Sequence, residues 1–87
     1  MPVRTVVIAS PQGLHARPAQ IVARAAASAS SPVQIGRVGE ESVNAASLLS
    51  LMTLGVKSGD EVEVSGQEQA AVDEIADLLA RDLDADA

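Results

Sequence analysis

The sequence predicts an α+β fold, a two-layer open-faced sandwich with one β-sheet carrying helices on a single face and water on the other. Three observations predict it. Stretches rich in β-branched residues are interleaved with amphipathic helical stretches, in the order β-α-β-β-α-β-α. The 87 residues suit one small domain, residues 1–87, able to bury only roughly two-thirds of its unfolded surface. Phe, Trp and Tyr are all absent, so the core must be built from Val, Ile, Leu, Met and Ala.

Val3 to Ile8 is rich in β-branched residues and reads as the first strand. Ser10-Pro11-Gln12-Gly13 is a turn cluster. An alanine-rich helix follows, from Ala16 to Ala27. Pro18 is tolerated because it falls in the first turn, where its missing N–H costs nothing. Ser28-Ala29-Ser30-Ser31-Pro32 ends that helix. Val33, Ile35 and Arg37 alternate with Gln34 and Gly36 as a second strand. Residues 38–40 turn the chain, and Glu41 to Asn44 forms a third strand in a hairpin with the second. Ser47 is a good N-cap for a short helix through Thr53, stopped by Gly55. After the Lys57-Ser58-Gly59-Asp60 turn, Glu61-Val62-Glu63-Val64-Ser65 alternates cleanly as a fourth strand. Ser65 and Glu68 are spaced as a capping box for the last helix, whose stripe is Val72, Ile75, Leu79 and Leu83. The acidic tail Asp84-Ala85-Asp86-Ala87 opposes the helix dipole and is expected to fray.

Composition removes several functional classes. Without cysteine there are no disulfides or thiolate metal sites. The apolar run Val6-Val7-Ile8-Ala9 is too short for a signal peptide, and no stretch approaches the roughly 18 apolar residues of a membrane span. A cytoplasmic protein without membrane insertion is expected. The lack of aromatic residues excludes the usual stacking platforms for single-stranded nucleic acid. The net charge of −6 is unevenly placed. Residues 1–39 hold Arg4, Arg17, Arg24 and Arg37 and no acid, whereas residues 40–87 hold all 12 acids against Lys57 and Arg81. A basic patch on an acidic chain fits a phosphate or an acidic partner surface better than a long nucleic acid. The acids themselves can simply keep the C-terminal half soluble.

The residues with chemical potential cluster around Gly13-Leu14-His15-Ala16-Arg17-Pro18-Ala19. His15 is the only histidine and falls where a loop gives way to a helix. A lone histidine is more often structural or merely exposed. Here, however, the helix start disfavours the imidazolium, leaving a neutral nucleophile beside backbone N–H donors such as that of Ala16. Those donors and the dipole would cradle a phosphoryl group once attached. Arg17 sits poorly at a positive helix end unless an anion visits, and its guanidinium can fork onto phosphate oxygens. Arg24 and Gln20 share its helix face and extend a basic stripe. The helix after Ser47 is apolar on most sides, so some of Leu48, Leu49 and Met52 should remain exposed as a partner-binding patch, with Leu51 in the core. No metal ligand set, Walker loop, paired carboxylates or Ser/His/Asp arrangement is present. A nucleophile so unsupported suits a carrier better than a complete enzyme, and no cofactor is implied.

These residues carry a resemblance. Gly13 to Ala19 resembles the active-site signature of the HPr family, the histidine-containing phosphocarriers of bacterial phosphoenolpyruvate:sugar phosphotransferase systems. Val43-Asn44-Ala45-Ala46-Ser47-Leu48-Leu49, continuing to Leu54-Gly55, resembles the family's second-helix region. The resemblance covers the whole chain. It implies a four-stranded antiparallel sheet under three helices. It implies phosphorylation of the δ nitrogen of His15 by enzyme I, which draws on phosphoenolpyruvate, and donation to the A components of sugar permeases, with Arg17 steadying the phosphate. A carrier that alternates partners is expected to be a monomer. Ser47 falls where some members are phosphorylated by a serine kinase. Gln12, Ala27 and Ala46 depart from the family's pattern, Ala46 standing where a lysine is common. Two alternatives go with this reading: a carrier of the nitrogen-related branch, and a regulatory module whose Ser47-phosphorylated form is bound by a transcription regulator through Leu48 and Leu49.

Overall fold

Alternation of apolar and polar residues builds the sheet, and the strands it builds fix where the helices go. In the computed structural model, residues 2–11, 13, 14 and 16–81 are described. The elements are β1 (Val3–Val7), α1 (Ala16–Ala27), β2 (Val33–Arg37), β3 (Val43–Asn44), α2 (Leu48–Thr53), β4 (Glu61–Gly66) and α3 (Gln69–Leu79). The strands lie in the order β1-β4-β2-β3, and every neighbouring pair is antiparallel. β4 therefore occupies the interior of the sheet, pairing Val62 with both Val6 and Arg37 and Val64 with both Arg4 and Ile35.

This register gathers the apolar residues on one face. Val6, Val62, Val64, Val33 and Ile35 are buried under the helices. α1 contributes Ala19, Val22, Ala23 and Ala26, α2 contributes Leu51, and α3 contributes Val72, Ile75, Ala76 and Leu79. Each fully buried Val, Ile or Leu stabilises the fold by about 1.5–3 kcal/mol relative to exposure. The alanines let helices approach the sheet closely, which compensates for the missing aromatic bulk. On the opposite face Val3, Thr5, Val7, Gln34 and Glu61 are exposed. One segment crosses that face. Gly36 is buried there, and a Cβ on it would lie 2.8 Å from Ser42 Cα. Ser42 Oγ donates to Gln34 Oε1 at 2.9 Å beside it.

The open-faced sandwich, the element order and the antiparallel sheet agree with the sequence expectation. Three details differ. β3 is two residues rather than four, because Glu41 and Ser42 pass over Gly36 instead of pairing with β2. β1 ends at Val7; the Ile8 N–H still donates to the Asp60 carbonyl at 2.9 Å. The Ser65–Glu68 capping box does not form. β4 continues to Gly66, which pairs with Val33 and donates its N–H to the Pro2 carbonyl, so the strand outcompetes the cap. Glu68 becomes the N-cap of α3 without a side-chain cap bond, and its carboxylate accepts from Ser30 Oγ at 2.6 Å. Leu83 and the acidic tail lie outside the described residues.

Candidate functional site

The site is built where β1 hands the chain to α1. Gly13 closes a turn by donating its N–H to the Ser10 carbonyl at 2.9 Å. Its φ of 71° is left-handed, and a Cβ there would stand 2.7 Å from Lys57 Cα, so both conformation and space demand glycine. The Leu14 N–H donates to the Val56 carbonyl at 3.3 Å, and the Leu14 side chain is buried. His15 lies outside the described residues, and so does Gln12; the geometry is that of their neighbours.

α1 begins at Ala16. Ala16 and Arg17 are exposed at its start, while Pro18 and Ala19 are buried and anchor the first turn. That turn contains no acid, so the N–H groups and dipole of the helix end and the Arg17 charge accumulate without an internal counter-ion. Gln20 and Arg24 are exposed further along the helix. The described residues contain no group of three or more His, Cys, Asp or Glu able to hold a metal ion, and no helix among them is long and apolar enough to cross a membrane.

α2 packs beside α1. Its entry is prepared by Asn44, whose side chain accepts from the Ala46 N–H at 2.9 Å. Ser47 then caps the helix, its Oγ accepting from the Ser50 N–H at 3.3 Å. Leu51 is fully buried, whereas Leu48 is 39 %, Met52 45 % and Leu49 74 % exposed. The basic and polar positions of α1 and the apolar positions of α2 thus lie on neighbouring helices.

In the sequence Arg37 is a strand residue of the basic N-terminal half and Asp60 a turn residue, with nothing to link them. The structure joins them, with Arg37 Nη1 donating to Asp60 Oδ2 at 3.2 Å. Arg37 Nη2 also donates to the Gly55 carbonyl at 2.8 Å, and Nε to the Leu54 carbonyl at 3.4 Å. The Lys57 N–H donates to Asp60 Oδ2 at 2.8 Å. That backbone bond, and then Arg37, hold the Asp60 carboxyl below the usual carboxylate range. The only sequence signal for this cluster was the Lys57-Ser58-Gly59-Asp60 turn, which does not name its arginine.

The family model described as "PTS HPr component phosphorylation site" matches residues 3–81. The chain belongs to the HPr phosphocarrier family. Its relatives include the phosphocarrier protein HPr of Streptomyces coelicolor, 38 % identical over 84 residues that cover 93 % of this chain and 90 % of that one. The HPr of Haloferax volcanii is 37 % identical over 81 residues, covering 88 % and 91 %. Among solved structures, an HPr from Thermoanaerobacter tengcongensis superposes with a TM-score of 0.83 at 34 % identity, covering 91 % of each chain. HPr is a component of the phosphotransferase system, so membership ties this chain to that system's phosphoryl traffic.

Proposed function

We propose that this HPr-family chain accepts a phosphoryl group on the δ nitrogen of His15 from phosphorylated enzyme I and passes it to the A components of sugar permeases. The observation that carries this reading is the start of α1. Arg17 stands exposed in an acid-free first turn, at a helix end that already favours an anion. A cation there raises the energy of the empty site and lowers that of the phosphorylated one. Arg17 is the anion clamp, and the Ala16 N–H belongs to the cradle. The chain is a carrier, because His15 is its only histidine and the catalytic groups for each transfer would come from the partner.

Partners would dock over Arg24 and Gln20 of α1 and over Leu48, Leu49 and Met52 of α2, each in turn on a monomer. This combination of a charged rim and exposed apolar side chains fits transient association. We read Ser47 in its role as the cap of α2.

Incubation with enzyme I and phosphoenolpyruvate should add one phosphate that is acid-labile and base-stable. Equal labelling of a His15→Ala variant would overturn the assignment. Comparing enzyme I paralogues as donors separates the sugar branch from the nitrogen branch.

A further inference from the structure

The segment running from Gly55 to Asp60 is the floor under Gly13 and Leu14. Leu14 hangs on the Val56 carbonyl, and Gly13 lies against Lys57 with no room for a Cβ. Any shift of this floor moves the two residues that precede His15. The floor itself has no regular secondary structure. Backbone bonds tie its far end to β1, the Gly59 N–H donating to the Ile8 carbonyl and the Ile8 N–H to the Asp60 carbonyl, each at 2.9 Å, and one side chain from the sheet ties it to α2. Arg37 is the last residue of β2, with its Cα in register with Val62, so its base is rigid. Its guanidinium reaches the Leu54 and Gly55 carbonyls and the Asp60 carboxylate together. Asp60 in turn holds the Lys57 N–H, and the Lys57 carbonyl accepts from the Asp60 N–H at 3.0 Å.

The same side chain closes α2. Leu54 is the C-cap of that helix, and a cation on its carbonyl complements the negative helix end. One guanidinium therefore joins the end of the docking helix to the floor of the His15 segment. We propose that Arg37, with Asp60, is a positioning residue that holds α2 and the Gly13–Leu14 turn in a fixed relation. A partner seated on Leu49 and Met52 then finds the acceptor within reach. This rests on the reading of His15 as acceptor. Only the planar fork of arginine serves three oxygens in this arrangement; a lysine ammonium is a point charge. Both side chains are about one-third exposed, and ion pairs of that kind add little global stability. The local effect can thus be separated from unfolding.

The test compares Arg37→Ala, Arg37→Lys, Asp60→Asn and the double variant Arg37→Ala/Asp60→Asn with Arg4→Ala as control. Arg4→Ala breaks a separate arginine cluster, to Asp73 and Asp77 on α3. Two readouts are taken under conditions where every variant is folded: kcat and KM for phosphorylation by enzyme I with phosphoenolpyruvate, and hydrogen exchange of the Leu14 amide. Arg37→Ala should lower kcat about tenfold or more, within the ~100-fold that a misplacement of about 1 Å can cause. Its Leu14 amide should exchange on the order of tenfold faster. Arg37→Lys should recover little of either, and the double variant should be no worse than Arg37→Ala, because the pair acts as one unit. Arg4→Ala should leave both readouts unchanged. An Arg37→Ala variant with the unmodified kcat and Leu14 protection overturns the proposal. If the unmodified chain is not labelled on His15, the functional reading fails, and Leu14 exchange alone still decides whether Arg37 positions the turn.

Discussion

Asp60 is held ionised first by the Lys57 N–H and then by Arg37, against the opposing effect of partial burial. A carboxyl whose value is lowered by folding contributes stability that is fully present above its unfolded value, about 3.9. That contribution disappears as pH falls through the lower folded value. Urea unfolding of the chain and of Asp60→Asn should therefore differ only slightly at pH 7, as expected of a partly exposed pair, and the gap should close as the pH drops below about 4. Gly13 gives a second residue-scale prediction. Gly13 and Gly39 both have left-handed φ, 71° and 80°, but only Gly13 has neighbours where a Cβ would go. Gly39→Ala should lose stability through backbone strain alone, of order 1–3 kcal/mol. Gly13→Ala should lose more, and equilibrium denaturation of the two variants checks the ranking. Gly13 was legible in the sequence because a turn leaves local signs. The Arg37–Asp60 pair was not, since its members stand 23 residues apart and only the folded sheet brings them together.

Short helices divide their residues sharply between core and surface, and α2 does so along a single turn. Leu51 has no exposed surface, whereas Leu49 is mostly in solvent. Leu51→Ala should cost about 2–5 kcal/mol by leaving a cavity. Leu49→Ala should change stability by less than about 0.5 kcal/mol. It should nevertheless raise the KM of enzyme I for the chain severalfold, as steady-state phosphorylation will show. The sequence delimited α1 correctly from Ala16 to Ala27, since Pro18 inside the start and the serine cluster after the end are both local marks. It also placed Ser47 as the cap of α2. It misplaced the entry to α3 because Ser65 and Glu68 satisfy the spacing of a cap, while the strand pairing of Gly66 comes from Val33, far away in the chain. Where a local signal and a ladder claim the same residues, the ladder prevails by satisfying more backbone groups.

Across the whole molecule, the basic N-terminal half is divided between two tasks. Arg4 and Arg37 face the acids Asp73, Asp77 and Asp60, whereas Arg17 and Arg24 are exposed on α1. The asymmetry of charge and the Arg17–Arg24 stripe on α1 were evident in the sequence; the acids that Arg4 and Arg37 meet were not. Exposed charges steer acidic partners only while salt leaves them unscreened. The second-order rate of phosphorylation should thus fall as NaCl rises from ~50 mM to ~500 mM, and Arg24→Ala should show a shallower dependence, measured by rapid-quench labelling. The order β1-β4-β2-β3 has a consequence for how the protein is made. The strand that separates β1 from β2 is the last of the four to leave the ribosome. A nascent chain that ends before Glu61 has neither long ladder, and its β1 and β2 lack the strand that lies between them. Pairings between such distant segments close slowly, so the sheet zips shut late, and the edges of β1 and β2 are the surfaces a chaperone would meet while the chain is growing.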